Sequence, residues 1–587
     1  MALTKKKKII NSLVFFVMAI TCALLGQALG SAAFLKLTSI SFDYYSLDSL
    51  YRYWIEYRTD SDIIPYLKVS GVIAIVITLV PWLILIAALV VRLNKEEIHG
   101  SARWADDVDL QKSGLFPTEH KSPALLLGKM NSGEFKGRFV ELVGQTFVGV
   151  SAPTGSGKGI GFVLPNLVNY SDSIVCLDIK LENFIKSGGF RQKSGQEVFL
   201  FSPDGYAVTE EDRQTGTLRS HRYNPYHYVR RQEAYRVGDT LILANTLYPN
   251  LGGKDSVWSS SSAKLFLGLS LWMLDTETRT GQVPTLPYLL KIVGIEGGLT
   301  AWMKRQVEEA TVSDECLREF NTFLTFPKDT QGSILTNFTA PLGIYSDSTV
   351  AKAVSGNDFD FRDLRKKGIS LYVGVQPPNK KRFEGLLNLF FEQLINENTR
   401  VTPEVDTSLT YQLLALLDEF PALGRVNQIK ESIGFTRQYN LRFALIYQDK
   451  SQLEDNALYG KSGAENIISN LVSEVIYPPK KVTQRVKEIS ESLGYKTVKV
   501  KSNSVNKGQK LSKGESTNLQ RRALMMPHEL VELGYEKHAK ADIGTRVMMF
   551  KENQRGFIMD KLISFDEPVF VERIEYSKQH IPSVPLL

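Results

Sequence analysis

The segment from Thr146 to Ile160 constrains the fold of this chain more than any other, because it joins a short apolar run to a glycine-rich turn and a lysine. Residues 146–150 are mostly apolar and β-branched, which favours a strand. Beyond the lysine, apolar residues recur at helical spacing, at Ile160, Val163, Leu164, Leu167 and Val168. Glycines let the backbone curl so that its N–H groups point inward, and the start of a helix adds partial positive charge. The sequence therefore predicts a phosphate-binding loop between a strand and a helix.

We predict that the whole turn contacts a nucleotide and that the Lys158 ammonium reaches the β- and γ-phosphates. The contacting residues are Ala152, Pro153, Thr154, Gly155, Ser156, Gly157, Lys158, Gly159 and Ile160. Two positions depart from the G-x-x-x-x-G-K-[ST] template, since Ala152 replaces its first glycine and Gly159 replaces the Ser or Thr that holds Mg²⁺. Glycine-rich turns that bind no phosphate are also common, so the loop alone leaves that alternative open.

A second motif lies far along the chain, where a nearly continuous apolar run at 411–417 ends in Asp418 and Glu419. Such a run is typical of a strand in a parallel sheet, and open α/β sheets bind ligands at the carboxyl ends of their strands. We predict that Asp418 binds Mg²⁺, directly or through water, and that Glu419 orients and deprotonates the attacking water. The alternative is a pair of solvated acids without a function. The lysine loop at Lys158 argues against it, because a nucleotide site needs both a cation and carboxylates.

The composition narrows the class of protein. A chain of 587 residues is long enough for about three or four domains, and a formal charge of +7 suits an anionic partner without requiring one. Cys22, Cys176 and Cys316 are far apart and outside any metal-ligand spacing, which predicts reduced thiols without disulfides. The histidines show no zinc pattern either, which argues against a zinc hydrolase.

Two apolar runs predict transmembrane helices at about 9–31 and 69–91, since each has the ~20 residues that span a bilayer. Lysines precede the first run, and Arg92 and Lys95 follow the second, so the positive-inside rule places both ends in the cytoplasm. A cleaved signal peptide is the alternative, but its apolar core would be too long. The loop between the runs is rich in tyrosines, which fits either an interfacial belt or a contact surface for another membrane protein.

Apolar, β-rich runs then alternate with helical segments. The runs lie at 146–150, 173–178, 197–201, 369–375, 411–417, 441–447 and 472–477. This alternation predicts an α/β fold with a parallel sheet covered by helices on both faces. Between Tyr206 and about Tyr345 helical periodicity recurs without a convincing strand, at 232–248, 258–274, 299–310 and 315–325. We therefore predict an all-α domain inserted into the nucleotide-binding domain.

Several short motifs occur in a specific order. They are Gly100-Ser-Ala-Arg-Trp-Ala105, Ala152-Pro-Thr-Gly-Ser-Gly-Lys-Gly159, Leu177-Asp-Ile-Lys180 with Glu182-Asn-Phe184, Phe201-Ser-Pro203, Arg222-Tyr-Asn-Pro225, Leu417-Asp-Glu-Phe-Pro-Ala-Leu-Gly-Arg425 and Arg521-Arg-Ala-Leu-Met525. Together they resemble the type IV secretion coupling proteins, the TraG/TraD-like ATPases of bacterial conjugation. The resemblance extends from the first apolar run to about residue 535.

The resemblance implies a membrane-anchored, hexameric ATPase of the RecA/FtsK-like superfamily that uses ATP and Mg²⁺. Its lysine loop often ends in Lys-Gly, so Gly159 resembles a family variant, although the inner Mg²⁺ ligand is then unassigned. We expect a membrane anchor at 1–95, a RecA-like nucleotide-binding domain at 96–205 and 346–565, an inserted all-α domain at 206–345 and a C-terminal tail at 566–587.

The resemblance also suggests roles for further side chains. Gln448 follows the strand after the acidic pair, where its amide could contact the γ-phosphate or its water, and a surface glutamine without a role is the alternative. Arg437, in the helix expected after the acidic pair, resembles the arginine that ring ATPases present to the nucleotide of the adjacent subunit. Arg442 and Arg425 compete for this role, and a plain surface arginine remains an alternative for each.

The segment 496–522 is strongly basic and rich in Ser, Asn and Gly, with Glu515 as its acid. Its basic residues are Lys496, Lys499, Lys501, Lys507, Lys510, Lys513, Arg521 and Arg522. We predict a mobile loop that is either merely solvated or in contact with the phosphate backbone of DNA. The sequence shows no helix-turn-helix, zinc finger or aromatic run, so DNA binding would be largely independent of base sequence.

Together with these features, the resemblance implies a multi-pass protein of the bacterial inner membrane, with most of its chain cytoplasmic, that couples ATP hydrolysis to transfer of single-stranded DNA into a type IV secretion channel. Expected partners are the relaxase or relaxosome, single-stranded DNA, inner-membrane components of the secretion system and further copies of the chain, as a hexamer. One alternative is a coupling ATPase for protein effectors only. Another is a docking receptor that binds nucleotide without turnover.

Overall fold

In the computed structural model the chain is described over residues 2–93, 98–119, 122–250, 252, 256–507 and 511–587. The helices are α1 (Ala2–Leu37), α2 (Ser49–Tyr57), α3 (Ile64–Leu93), α4 (Asp107–Lys112), α5 (Leu164–Leu167), α6 (Glu182–Lys193), α7 (Glu210–Thr215), α8 (Glu233–Leu247), α9 (Ser256–Thr280), α10 (Leu286–Val293), α11 (Leu299–Glu309), α12 (Asp314–Leu324), α13 (Lys328–Thr339), α14 (Ser348–Ala353), α15 (Lys380–Asn398), α16 (Asn427–Ser432), α17 (Lys450–Leu453), α18 (Gly460–Ser469), α19 (Gln484–Ser492), α20 (Pro527–Glu532) and α21 (Pro568–Gln579). The strands are β1 (Leu125–Lys129), β2 (Phe139–Leu142), β3 (Val148–Ser151), β4 (Ser173–Leu177), β5 (Glu197–Phe201), β6 (Ile369–Val373), β7 (Leu413–Leu417), β8 (Leu441–Tyr447), β9 (Ser473–Ile476), β10 (Tyr495–Lys507), β11 (Leu511–Ala523), β12 (Lys537–His538), β13 (Ala541–Gly544), β14 (Arg546–Lys551) and β15 (Phe557–Asp560). The chain divides into two compact units, residues 1–102 with 494–524 and residues 103–493 with 525–587.

The second unit is built on a sheet whose central strands are parallel. Their order across the sheet is β9-β3-β8-β7-β4-β6-β5. These are the strands that the apolar runs predict, and β3, β4, β6, β7 and β8 are buried at every residue. Burial along the whole strand is possible because helices cover both faces of a parallel sheet.

Four antiparallel strands extend the sheet beyond β9, in the order β2-β1-β15-β14. The sheet is therefore mixed, with the predicted parallel strands forming most of it and the four antiparallel strands added at one side. These strands are short and contain charged residues, and β2 buries alternate residues only. A period of two over four residues is too weak a signal to predict a strand, so the sequence does not distinguish these strands from loops.

The region 206–345 is helical in the part of the chain that the structure describes, and it contains no strand there. The predicted helices are present as α8, α9, α11 and α12, whereas α10 and α13 were not predicted. Phe266 and Met273 of α9 belong to the same buried cluster as Val175 of β4 and Leu417 of β7. The helical region therefore shares one buried apolar cluster with the sheet.

In the first unit, α1 and α3 contain the apolar segments Val14–Leu37 and Ile64–Ala87, each long enough to cross a membrane. These segments overlap the two predicted spans. A Cβ on Gly26 would lie 2.6 Å from the Ala74 carbonyl oxygen, and one on Gly30 would lie 2.9 Å from the Ala74 Cβ. The two glycines, one turn apart on α1, thus permit the close approach to α3 that small residues give to membrane helices.

The basic segment 496–522 is not a loop. It forms the antiparallel ribbon β10–β11, paired from Tyr495 with Ala523 to Lys507 with Leu511, and Lys510 lies outside the described residues. Sequence analysis missed the ribbon because polar residues occupy both of its faces, so the apolar alternation that marks a half-buried strand is absent.

The C-terminal tail folds against the second unit. α21 packs on α6, where the Phe190 N–H donates to Ser577 Oγ at 2.9 Å. The Leu587 N–H donates to the Leu218 carbonyl at 3.0 Å. The tail is therefore fixed to α6 and to the segment at Leu218.

Arg442, which sequence analysis considers for a role in an adjacent subunit, is fully buried at the start of β8. Its guanidinium donates to the carbonyl oxygens of Thr146 at 2.7 Å, Leu142 at 2.7 Å and Pro123 at 3.3 Å. Burial lowers the pKa of Arg442 to about 10. The side chain thus joins segments that are distant in sequence and cannot reach another subunit.

We expect Arg442→Met to lower the melting temperature of the full-length protein by several degrees. The substitution keeps the apolar stem but leaves buried carbonyl groups without a donor, at about 1–3 kcal/mol each. Thermal unfolding of the detergent-solubilised chain measures the effect. Arg425→Met is the control, because Arg425 is only partly buried and its Nε bonds Asn427 Oδ1 nearby in sequence. An equal melting temperature for wild type and Arg442→Met would contradict the structural role.

Candidate nucleotide site

The sheet order brings the predicted site residues to one edge. The glycine-rich loop follows β3, Gln448 follows β8, and Asp418 and Glu419 follow β7. β8 lies between β3 and β7, and all three strands run parallel, with Ser151 paired to Tyr447 and Leu417 paired to Leu445. Their carboxyl ends therefore meet, although the loop and the acids are separated by about half the chain.

Lys158 occupies the centre of this edge. Its Nζ donates to the Asp418 carbonyl oxygen at 2.6 Å and to Glu419 Oε2 at 2.9 Å. The same Nζ lies 3.3 Å from Asp418 Oδ1. The ammonium is thus held by the acidic pair at the place where a phosphate chain would bind.

Gln448 connects the loop to the acidic pair. Its Oε1 accepts a hydrogen bond from Thr154 Oγ1 at 2.9 Å, and its Nε2 donates to Glu419 Oε1 at 3.3 Å. Gln448 therefore has defined contacts at the site, and its functional role stays a prediction. The amide is placed to transmit a change at Glu419 to the loop.

The loop has the backbone that a phosphate cradle needs. Gly155 and Gly157 have φ values of +71° and +85°, a conformation that favours glycine. Ala152, which replaces the first template glycine, is buried, and its N–H donates to the Tyr447 carbonyl at 2.9 Å. The following helix opens with a π-helical turn from Gly159 to Val163 before α5, and such turns are frequent at functional sites.

Segments from the C-terminal part of the chain hold the loop from behind. Lys561 Nζ donates to the Ser156 carbonyl at 2.9 Å, and the Ser564 N–H donates to the Ile160 carbonyl at 2.9 Å. Burial lowers the pKa of Lys561 to about 8. A Cβ on Gly157 would lie 3.0 Å from Ile543. No pattern in the sequence connects these residues to the loop, because the contacts exist only in the folded chain.

Two cavities flank the loop. One of ≈ 240 Å³ is lined by Pro153, Thr154, Gln448 and Tyr477, among others. The other, of ≈ 340 Å³, is lined by residues that include Gly155, Ser156, Lys480 and Lys561. Both are near the lower end of the volumes that small-molecule sites occupy, so the loop has open space on either side.

Asp418 has the features of a magnesium ligand. Burial raises the pKa of Asp418, and the nearby Lys158 ammonium opposes the rise. Apart from the ion pair with Lys158 at 3.3 Å, Asp418 Oδ1 is buried without a hydrogen-bond partner among the described residues, and a carboxylate oxygen is the kind of ligand atom that Mg²⁺ prefers. Gly159 supplies no hydroxyl, but a Cβ there would meet nothing within 4 Å, so the position has room for water. The residues present therefore fit Mg²⁺ through Asp418.

Asp178 is a candidate functional residue that the sequence analysis did not assign. It follows β4, next to β7, and its Oδ2 accepts a hydrogen bond from the Phe184 N–H at 3.0 Å. Burial raises the pKa of Asp178 to about 7, and the Asp418 carboxylate raises it further against the Phe184 hydrogen bond. The signal available from sequence was its position, directly after an apolar strand in the motif Leu177-Asp-Ile-Lys180.

Arg437 lies at the amino end of β8, whereas the loop lies at the carboxyl ends of the parallel strands. It is in a 3₁₀ turn, Thr436–Tyr439, and not in the predicted helix, because α16 ends at Ser432 shortly before Gly434. β8 separates this turn from Gln448, and its 7 residues span roughly 20 Å at ~3.3 Å each. The Arg437 side chain therefore does not reach the loop of its own chain.

The surroundings of Arg437 leave part of its guanidinium available. Nη2 donates to the Asn470 carbonyl at 2.7 Å, and the guanidinium lies 5.0 Å from the Phe147 ring centroid. Nε is buried without a hydrogen-bond partner among the described residues, so the part open to contact is the rest of the guanidinium. Unlike Arg442, this arginine is only partly buried, so a second molecule could contact it.

The model of the family described as Type IV secretory system Conjugative DNA transfer matches residues 103–584. The conjugal transfer protein TraG of Escherichia coli is 28% identical over 520 residues, which cover 81% of this chain and 78% of TraG. Protein VirD4 of Rhizobium radiobacter is 28% identical over 453 residues, which cover 76% of this chain and 62% of VirD4. The plasmid coupling protein TrwB, solved in complex with ADP and Mg²⁺, matches with a TM-score of 0.53 and 15% identity over 80% of this chain and 96% of that chain. The likeness to TrwB confirms the predicted RecA-like α/β fold.

We expect Asp178→Asn to stabilise the protein relative to wild type increasingly as the pH rises. The folded-state pKa of about 7 lies above the usual value near 3.9, so the folded protein holds an extra proton between these values. Wild-type stability therefore falls through this window as pH rises, whereas asparagine does not titrate. Thermal unfolding in EDTA without nucleotide, from about pH 5 to about pH 8, measures the difference.

Asp347→Asn is the control for this experiment. A hydrogen bond from Arg382 lowers the pKa of Asp347, so that carboxyl is ionised throughout the range and its variant keeps a constant offset from wild type. A constant offset for Asp178→Asn as well would show that Asp178 does not titrate near neutrality.

Proposed function

The chain belongs to the type IV secretion coupling-protein family, and from that premise we propose that it is a membrane-anchored ATPase that recruits relaxase-bound single-stranded DNA to a type IV secretion channel and drives its transfer. The observation that carries the proposal is a set of direct contacts beside the glycine-rich loop: Lys158 contacts Asp418 and Glu419, and Gln448 contacts Glu419. An ammonium, two carboxylates and an amide at a phosphate cradle are the groups that hydrolysis of a nucleoside triphosphate requires.

Lys158 is the group that exchanges partners during turnover. In the structure its ammonium is bound by Glu419 and by the backbone and carboxylate of Asp418. A triphosphate in the cradle competes for the ammonium with its β- and γ-oxygens and so releases Glu419. The freed Glu419 then accepts the proton of the attacking water, while the loop N–H groups from Thr154 to Gly159 bind phosphate oxygens.

Asp418 would hold Mg²⁺, through one carboxylate oxygen or through water. When bound, the metal neutralises charge on the phosphate oxygens and favours departure of the leaving group. Gly159 offers no side-chain ligand, so the remaining positions are left to phosphate oxygens and water, which Mg²⁺ readily retains.

Gln448 would report hydrolysis. The Gln448 amide is hydrogen-bonded to both Thr154 and Glu419. If the γ-phosphate and its water displace Glu419, the Gln448 side chain would therefore move, and with it the loop and α17, which follows Asp449. This connection gives the site a route for converting phosphate release into movement of neighbouring segments.

Arg437 would act on the nucleotide of an adjacent subunit. Its distance from its own loop and its position at the amino end of β8 suit a ring in which that end faces the next subunit's site. An arginine supplied in this way stabilises charge on the transferring phosphoryl group and is worth ~10³ to 10⁵ in rate. A hexamer is the assembly we propose.

The proposal places α1 and α3 in the bacterial inner membrane and the second unit in the cytoplasm, with the helical region 206–345 as an inserted domain that meets substrate. Two apolar helices near the N-terminus support an anchor. Proposed partners are the relaxase, single-stranded DNA bound without sequence preference, and inner-membrane components of the secretion system. Delivery of protein effectors only is the narrower alternative, which a relaxase gene and an origin of transfer nearby would disfavour.

A second candidate is a docking receptor that binds nucleotide but does not hydrolyse it. The absence of a hydroxyl at Gly159 favours the docking receptor, because P-loop ATPases normally hold the metal with a serine or threonine at this position. Turnover measurements separate the two functions.

We expect the purified full-length protein to hydrolyse ATP in the presence of Mg²⁺. Lys158→Ala should abolish nucleotide binding and turnover, because the loop loses its cation, whereas Glu419→Gln should keep nucleotide binding and lower turnover ~10²- to 10⁴-fold. Phosphate release with and without single-stranded DNA measures turnover, and conjugative transfer measures function.

Lys461→Ala and Glu465→Gln are matched controls, since both residues are exposed on α18 and away from the loop. Both variants should behave as wild type. If the wild type shows no Mg²⁺-dependent turnover with or without DNA, the docking receptor is the correct function. If Lys158→Ala still supports transfer, the site assignment is wrong.

We expect Arg437→Ala to bind nucleotide without turning it over, and mixtures of Arg437→Ala with Glu419→Gln to regain part of the activity. Regain occurs because a mixed ring contains interfaces where an intact Glu419 meets an intact Arg437 from the neighbour. Steady-state ATPase rates of rings mixed at several ratios provide the measurement.

The mixture of Lys158→Ala with Glu419→Gln is the control for this test. Both residues serve the same subunit's site, so this mixture never assembles a complete site and stays inactive. Equal behaviour of the two mixtures would argue against a role for Arg437 in the adjacent subunit.

A further inference from the structure

The ribbon β10–β11 is a long, isolated element of the first unit. Each strand has 13 residues, which at ~3.3 Å per residue gives a length of roughly 40 Å. A two-stranded ribbon with polar residues on both faces lacks a core and is marginally stable in water by itself. Binding to a surface would therefore stabilise the ribbon.

The positive charge of the ribbon is concentrated on one face. Side chains of directly paired residues share a face, which groups Lys499 with Leu519, Lys501 with Thr517, and Arg521 with Thr497. Lys499, Lys501 and Arg521 are all exposed. The opposite face carries Lys496 paired with Arg522 at the root, and then the uncharged pairs Val498 with Gln520 and Val500 with Asn518. Beyond the root, the cations of the described side chains therefore lie on one face.

The root of the ribbon is bound to the chain that leaves α3. The His99 N–H donates to Thr497 Oγ1 at 3.0 Å, the Ala102 N–H donates to the Tyr495 carbonyl at 3.0 Å, and the Thr497 N–H donates to the Gly100 carbonyl at 3.1 Å. These bonds make the segment after the membrane helix a partial third strand. The ribbon cannot move away from that segment without breaking them.

Chain length then sets how far the root can lie from the membrane. α3 ends at Leu93, and the six steps to His99 span at most ~20 Å when fully extended. α3 continues for six residues beyond the apolar segment that ends at Ala87, which adds ~9 Å. The root therefore lies within about 30 Å of the hydrocarbon edge, less than the length of the ribbon itself.

We propose that the ribbon β10–β11 lies on the membrane that holds α1 and α3, with Lys499, Lys501 and Arg521 against anionic phospholipid head groups. The inference rests on the membrane anchor proposed above. Lysines and arginines next to a membrane helix are attracted to an anionic leaflet, and this attraction falls off within a Debye length. A tethered cationic face close to that leaflet meets these conditions.

DNA is the competing partner for a basic ribbon. Proteins that bind single strands combine a basic groove with aromatic side chains on which bases stack. Residues 495–523 contain a single aromatic residue, Tyr495, and the Arg521 guanidinium covers its ring at 3.5 Å. The ribbon therefore has charge for phosphates but no free platform for bases, which favours head groups.

Hydrogen–deuterium exchange of the full chain in nanodiscs tests the proposal. We expect the peptides that span 495–507 and 511–523 to exchange at least about threefold more slowly in discs with roughly 30% phosphatidylglycerol than in pure phosphatidylcholine, and the difference to vanish in about 0.5 M NaCl. The triple variant Lys499→Gln, Lys501→Gln and Arg521→Gln should lose this protection. The charge-retaining triple variant Lys499→Arg, Lys501→Arg and Arg521→Lys should keep it.

A matched triple variant, Lys304→Gln, Lys461→Gln and Lys487→Gln, removes three exposed lysines from the second unit and should leave the ribbon protected. Protection by a single-stranded oligonucleotide in phosphatidylcholine discs, with none from phosphatidylglycerol, would overturn the proposal and assign the ribbon to DNA. Equal exchange under all conditions would overturn it in favour of a solvated ribbon. Failure of the chain to co-purify with discs would instead contradict the membrane anchor.

Discussion

The ion pairs of Lys158 with Asp418 and Glu419 are the interaction on which the site depends. They join a loop after β3 to acids after β7, and only a parallel sheet with β8 between these strands brings the three carboxyl ends together. The ammonium is only partly exposed there, so solvent screens the pairs less than it would at a free surface. The same arrangement lets a polyphosphate replace the carboxylates as partner of the lysine.

Buried polar groups find their partners differently in the body of the second unit and at the glycine-rich loop. Buried Arg442 and Arg191 saturate backbone carbonyls that belong to distant segments. At the loop, by contrast, Ser156 Oγ is buried without a hydrogen-bond partner among the described residues, and buried Asp418 Oδ1 lies 3.3 Å from the Lys158 ammonium. A bound ligand would supply partners for both oxygens, although other buried polar atoms of the second unit, such as Ser473 Oγ, also lack a partner among the described residues.

Sequence reasoning succeeded for elements whose signal is local and strong. Continuous apolar runs predicted the central parallel strands, because burial on both faces leaves no polar alternation. It failed for β1, β2, β14 and β15, whose short mixed sequences become strands only by pairing with the edge at β9. It also failed for the ribbon β10–β11, where polar residues occupy both faces, and for the turn at Arg437, where Gly434 follows the end of α16 closely.

The sequence by itself determined the presence of the glycine-rich loop, the acidic pair, two membrane-length apolar helices and the α/β class, since each follows from residue types and periodicity within one segment. Tertiary structure decided which distant groups meet: the bridge that Gln448 makes between Thr154 and Glu419, the support of the loop by Lys561, the burial of Asp178, and the separation of Arg437 from its own loop. These features depend on strand order and on contacts across hundreds of residues. Local periodicity carries no information about such contacts, because hydrogen bonds and burial between remote segments exist only once the sheet has assembled.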